Sequence, residues 1–375
     1  MATLTQKEKH YRLALSLVPG IGCAWLRKLL THFGSAQAVF EASSTKRGVI
    51  PIKVAEAIHA NSNIDRVKKI IETHEAHNIE LITTEEAAYP QRLLELPDRP
   101  SILYYKGAKV LNKQKIVCIV GTRQLSSYGR ESITKFMEQL VPYQPLVVSG
   151  LAYGADIWTH QQALEQGLDT VAVLPSSLDE IYPSAHKKTA MQMCELGGGI
   201  LTEYPIGSGL GAYSFVARNR ILAGVADVTI VIEAKEKSGA LITAYYANSY
   251  HREVFALPGS IYTATSAGCH QLIKRNQAHL ITNVSDLAYL MNWEISPKNE
   301  TQQKEYTTYK LTASEQMVLE QIRKKTVPIA VDNLTCTTGL PPGELQAALL
   351  SLELQGLVST LPGKRFMLAS TYSKK

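Results

Sequence analysis

KIVCIVGTRQLSSYGR, residues 115–130, carries five consecutive apolar residues after Lys115, breaks at Gly121 and passes into hydroxyl-bearing residues before a helical stretch. A continuous apolar run does not alternate, so it predicts a strand buried on both faces, as parallel strands are. The same grammar recurs downstream. LVVSG (146–150), TVAVLP (170–175), GILTEYP (199–205), VTIVIEA (228–234), EVFALPG (253–259) and AHLIT (278–282) each precede or follow a helical segment. Strand and helix in alternation predict a doubly wound, mostly parallel α/β sheet of the Rossmann-like kind.

Outward from this centre, residues 1–83 read as an N-terminal helical domain. The stretch LALSLVPGIGCAWLRKLLTHFGS (13–35) has helical apolar spacing on either side of a Pro-Gly-Ile-Gly turn, a helix–hairpin–helix or SAM-like arrangement. Residues 84–293 form the α/β domain. Residues 294–309 lose nearly all aliphatic content and read as a linker. Residues 310–375 give three helical segments and a two-strand ribbon, the pattern of a winged helix.

The composition narrows the function. The chain has 375 residues, 45% hydrophobic and 19% charged, and a net charge of +6, which suits an anionic partner without identifying one. The apolar runs are too short for a membrane span and no secretory signal opens the chain, so a cytoplasmic protein is expected. The five cysteines form no C-x-x-C pair and the histidines no H-E-x-x-H, so no metal site and no disulfide framework is expected.

Ligands of an open parallel sheet gather at the carboxyl ends of its strands, where helix N-termini expose free N–H groups. After the first strand, Gly121 allows close backbone approach, Thr122 offers a hydroxyl and Arg123 can fork onto a phosphate; a tight turn with a solvated arginine fits the same residues. The loop is neither G-x-G-x-x-G nor G-x-x-x-x-G-K-[ST], which removes the main support for a dinucleotide cofactor or a P-loop. No cofactor is expected. After the second strand, Gly150 precedes Asp156 and His160. With Ser149 these suggest a hydrolase, but Asp156 and His160 are spaced i, i+4 on one helix and no G-x-S-x-G elbow is present, so they read as structural and no catalytic residue is expected. Ser176 and Ser177, followed by Lys187 and Lys188, suit phosphate contacts or a solvated face. Phe215, Arg218 and Asn219 suit base stacking beside phosphate neutralisation, or a core phenylalanine with paired arginines. Ser238 and Gly239 open a helix that caps itself or holds a phosphate.

Taken together, IVGTR (119–123), VVSGLAYGAD (147–156), YP (182–183), LTEYP (201–205), FVARNRILAG (215–224), EAKEKSGALITA (233–244), REVFALPGS (252–260) and GCHQLI (268–273) resemble the DprA/Smf family of DNA-processing proteins. The resemblance implies an extended Rossmann fold. It also implies a non-enzymatic role: binding and protecting incoming single-stranded DNA and loading the RecA recombinase onto it in natural transformation (competence) and recombination. It places Arg123, Lys187 and Phe215 on the DNA. It implies a homodimer with Ile273 and Leu280 at the interface. The chain departs from the family pattern at Val216, Ala155 and in LIKRNQA (272–278), where one residue is inserted. Two rivals stand beside this reading. One is a nucleoside-monophosphate hydrolase on a related Rossmann fold, against which LPGSIYTATSAG (257–268) lacks the expected P-G-G-x-G-T-x-x-E loop. The other is a duplex-DNA regulator acting through the winged helix.

Overall fold

A computed structural model describes residues 4–43, 51–60, 64–295, 311–323, 329–355, 357–361 and 365–368. The chain divides into two compact units, residues 1–298 and 299–375. The first opens with helices α1 (Gln6–Ser16), α2 (Cys23–Phe33), α3 (Ala36–Ser43), α4 (Ile52–Ala60) and α5 (Ile64–Ala76). Thr5 caps α1 by accepting the Glu8 N–H. Gly20, at φ +85°, makes the hairpin between α1 and α2. Leu15, Val18, Ile21, Leu26, Leu29, Val39 and Ile58 close a small core among these helices.

The elements that follow are β1 (Glu80–Thr83), α6 (Gln91–Leu94), β2 (Ile102–Gly107), β3 (Ile116–Val120), α7 (Ser127–Leu140), β4 (Leu146–Ser149), α8 (Ala155–Glu165), β5 (Thr170–Val173), α9 (Lys187–Glu195), β6 (Gly199–Thr202), α10 (Ala212–Val225), β7 (Val228–Val231), α11 (Gly239–Ser249), β8 (Glu253–Ala256), α12 (Ala267–Lys274), β9 (His279–Leu280) and α13 (Val284–Leu290). They build a nine-stranded sheet in the order β1-β2-β6-β5-β4-β3-β7-β8-β9. From β6 to β9 all neighbours are parallel, while β2 pairs antiparallel with both β1 and β6.

All seven strands expected from the apolar runs form. The sheet also takes in β1 and β2, so it starts at Glu80, four residues before the expected domain start, and the N-terminal helices share one compact unit with it. Of the expected linker, residues 296–309 lie outside the described residues.

The pleat divides the core. On β3, Val117 and Ile119 pack with Ile133 and Phe136 of α7 on one face. Cys118 and Val120 pack with Leu222 of α10 and Leu241 of α11 on the other. Each such fully buried Val, Leu, Ile or Phe contributes roughly 1.5–3 kcal/mol. This two-sided burial is why β3 reads as an unbroken apolar run.

The second unit contains α14 (Ala313–Arg323), β10 (Ile329–Ala330), α15 (Val331–Thr338), α16 (Pro342–Leu354), β11 (Val358–Leu361) and β12 (Arg365–Leu368). Its sheet runs β10-β12-β11, so a short third strand joins the expected ribbon in a winged helix. Leu345, Leu349 and Leu352 of α16 enter the core, whereas Leu350 and Leu354 are exposed. Among the described residues, no helix is long and apolar enough to cross a membrane.

Candidate nucleic-acid interface

The strand order fixes where a cleft must open. From β3 the chain winds through β4 and β5 to β6, then returns by α10 to place β7 on the other side of β3. The loops leaving β3 and β7 therefore diverge, and a crevice is left at the carboxyl ends of these strands. Here it is an open cleft of about 500 Å³. Its walls carry Gly121, Thr122 and Arg123 after β3, Phe215, Arg218 and Asn219 on α10, and Lys235, Lys237, Ser238 and Gly239 after β7.

Close backbone approach holds the β3 wall in place. Gly154, at φ +77°, lies where a Cβ would come within 2.3 Å of the Thr122 carbonyl oxygen. A Cβ on Gly121 would come within 2.7 Å of that of Ala155. The Thr122 carbonyl accepts the Ala155 N–H at 3.1 Å, and Thr122 Oγ1 accepts the Gln124 N–H at 3.2 Å. Outside the cleft lining, buried Glu233 after β7 ties the β7 loop to the β3 loop. Its Oε1 accepts the Ser126 hydroxyl at 2.6 Å and its Oε2 the Ser126 N–H at 3.0 Å. Ser126 Oγ in turn accepts the Gly129 N–H at 3.1 Å and so caps α7.

The start of α11 has no side-chain cap. Ser238 Oγ is buried without a hydrogen-bond partner, and Gly239 is exposed at the first turn. Free N–H groups and the positive end of the helix dipole favour an anion there. Lys235, Lys237 and Arg123 are all exposed around it. Lys235 and Lys237 do not stand out in the sequence, because EAKEK reads as an ordinary solvated charge run. Their place directly after a strand at the winding reversal is the signal that marks them.

Helix α10 presents Phe215, Arg218, Asn219 and Leu222, spaced i, i+3, i+4 and i+7, along one face. Phe215 is half-buried, with the Arg123 guanidinium 5.8 Å from its ring centroid and Tyr182 packed edge-on at 5.4 Å. Arg218 and Asn219 lie beneath that surface. Arg218 is only 6% exposed and donates to the Gly150 carbonyl at 2.7 Å and the Val173 carbonyl at 2.5 Å. A Cβ on Gly150 would lie within 2.6 Å of both the Arg218 guanidinium and the Asp156 carboxylate, so this glycine keeps the space between the two charges open. Burial pulls the Arg218 pKa down and raises that of Asp156, and each charge partly restores the other. Asn219 accepts from Arg218 Nε at 3.2 Å and donates to the Gly239 carbonyl at 3.3 Å, linking α10 to the start of α11. Arg220, on the far side of α10, pairs with Glu203.

The remaining expected contacts separate. Ser176 and Ser177 are buried and line no part of the cleft, so the exposed hydroxyls expected from the loop composition are not presented. Lys187 is exposed at the first residue of α9, outside the cleft lining. Its neighbour His186 bonds the Leu151 carbonyl through Nδ1 at 2.7 Å. His160 is fully buried, with Nδ1 2.7 Å from Thr170 Oγ1, and burial lowers its pKa to about 3. It is a neutral core residue at neutral pH.

Comparison with known proteins identifies relatives of both units. Residues 80–292 match the model of DNA recombination-mediator protein A, from the first residue of β1 to just past α13. Residues 302–364 match the DprA winged helix domain. The chain is 33% identical to Protein Smf of Synechocystis, over 97% of this chain and 99% of that protein. It is 41% identical to DNA processing protein DprA of Streptococcus pneumoniae, over 53% of this chain and 70% of that protein. The X-ray structure of the S. pneumoniae DprA superposes with a TM-score of 0.60 at 31% identity, covering 78% of this chain and all (100%) of that one. A DNA processing protein A from Helicobacter pylori, described for its unique single-stranded DNA binding mode, superposes at 0.51 with 30% identity, covering 58% of this chain and 97% of that one.

Proposed function

The chain belongs to the DNA recombination-mediator protein A family, and from that premise we propose that it binds single-stranded DNA in the cleft between the β3 and β7 loops. The observation that carries this reading is the grouping of three exposed cations, Arg123, Lys235 and Lys237, around a half-exposed Phe215 in one open groove. Cations neutralise phosphates, and an aromatic face takes any base, so the combination suits a strand of arbitrary sequence. The uncapped start of α11 at Ser238 and Gly239 holds one phosphate, and Gly121 and Thr122 line the β3 side of the same cleft. Arg218, Asn219 and Gly150 support the floor. Lys187 continues the basic path beyond the rim.

The protein coats incoming single strands, protects them and passes them to RecA during natural transformation and recombination. It works as a homodimer. Leu280, 49% exposed on the edge strand β9, forms the apolar centre of the contact. Ile273 contributes less, because it already packs against the central core. The reading assigns the protein no reaction.

The test is a gel-shift comparison of an oligo-dT with a duplex of equal length across a salt series. Preference for the single strand at every salt concentration supports the reading, and equal or tighter duplex binding refutes it.

A further inference from the structure

Two tyrosines stand at the rim between the cleft and α9. Tyr153, in the loop between β4 and α8, is 48% exposed, and Tyr182, in the loop between β5 and α9, is 39% exposed. With Arg123, Phe215, Gly150 and Pro175 they surround a recess of only about 10 Å³, room for about one water molecule. A base cannot enter it, so the surfaces on offer are the outer faces of the rings.

The local backbone holds Tyr153 outward. Leu151 is a fully buried non-glycine residue at φ +58°, and Gly154 follows at φ +77° against the Thr122 and Arg123 backbone. A left-handed leucine is costly and persists only where the surroundings dictate it. Tyr153 then packs perpendicular to His186 at 4.7 Å, which fixes the ring without burying it. Tyr182 packs perpendicular to Phe215. The rings thus continue from the Arg123–Phe215 pair toward exposed Lys187 and Lys188 at the start of α9. The loops after β7, β3, β4 and β5 stand side by side on the sheet edge. At roughly 4.8 Å per strand they span about 14 Å.

We propose that Tyr153 and Tyr182 form a second base-stacking station, over which the strand leaves the phosphate cleft toward Lys187. This rests on the single-strand reading of the cleft and adds a direction to it. The bases beyond Phe215 lie on tyrosine faces, and the backbone meets the α9 lysines.

The experiment measures binding of two oligomers of equal length, oligo-dT and an abasic strand with the same phosphates and no bases. The proteins are the full chain and its Tyr153→Ala, Tyr153→Phe and Arg123→Glu variants. Tyr153→Ala is expected to weaken oligo-dT binding roughly 5- to 150-fold and leave abasic binding unchanged. Tyr153→Phe keeps the ring and restores the native value. Arg123→Glu weakens both oligomers, which tests the underlying phosphate site separately. If Arg123→Glu acts but Tyr153→Ala shifts neither oligomer, or both equally, the stacking station is wrong and the cleft stands. If Arg123→Glu also has no effect, the cleft reading itself fails. A Tyr153→Trp variant gives an independent optical readout. The added indole emission should be quenched by oligo-dT and not by the abasic strand, and equal responses to the two would overturn the proposal.

Discussion

The Arg123 guanidinium lies 5.8 Å from the centroid of the Phe215 ring, so the cation and the aromatic surface proposed for one nucleotide already touch in the free protein. The contact joins the β3 loop to α10 and sets the spacing between phosphate and base before any ligand arrives. Such pre-ordering reduces the side-chain entropy that binding removes.

Phe215→Ala is expected to weaken single-strand affinity by about 1–3 kcal/mol. Because the ring is half-buried and not in the core, the melting temperature should change little. Titration and thermal melting of the same variant check this. A large drop in melting temperature at native affinity would return Phe215 to a purely structural role.

Arg218→Ala should do the reverse. It leaves the Gly150 and Val173 carbonyls without their donor and the buried Asp156 carboxylate without its neighbouring cation. Removing one partner of such buried charges costs about 3–5 kcal/mol. Chemical denaturation should register that cost. A native denaturation midpoint combined with a flattened salt dependence of DNA binding would mean that Arg218 contacts phosphate directly.

His160 makes stability depend on acid. Its folded pKa is about 3, below the unfolded value of 6.5, so below 6.5 the unfolded chain binds a proton that the native chain does not. The His160 contribution to stability is present above the unfolded pKa and is lost progressively as the pH falls toward the folded one. The raised carboxyl pKa values of Asp156 and Glu203 work in the opposite direction near pH 4, so the comparison is made against His160→Asn. The variant should be less stable at pH 7, since it lacks the bond to Thr170, yet its stability should fall less steeply between pH 6.5 and 4. Parallel profiles would show that His160 does not carry the acid sensitivity.

Leu280→Glu places a charge on the exposed edge strand, where a two-fold contact would bury it unpaired. Light scattering should show dimers for the native chain and monomers for the variant. A native monomer, or a dimer indifferent to the charge, removes β9 as the interface.

The central parallel strands were legible because burial on both faces writes itself as unbroken apolar runs, from IVCIV on β3 to VTIV on β7, whereas both residues of β9 are exposed. Strands β1 and β2 were not legible. ELIT and ILYYKG sit at the antiparallel margin, where polar and aromatic residues dilute the pattern. For the candidate site, the sequence picks out loops that line the cleft but not the fate of each side chain. Arg123 and Arg218 both lie in motifs that suit phosphate, yet one is exposed and the other is buried under Gly150. That difference depends on α10 crossing the ends of β4 and β5, which brings together residues 68 and 45 positions apart. Ser176 and Ser177 are hidden for a similar reason: loop composition suggests exposure and tertiary packing removes it. On α16, Leu345, Leu349 and Leu352 enter the core, while Leu350 and Leu354 stay outside it.

The most direct test of the central claim is the salt dependence of oligo-dT affinity for the native chain and for Arg123→Glu, measured by fluorescence anisotropy with melting as a control for folding. The cleft reading predicts weaker binding at every salt concentration and a log–log slope flatter by roughly 0.7 for each phosphate that is no longer neutralised, with an unchanged melting temperature. Identical affinity and identical slope for the two proteins would contradict it.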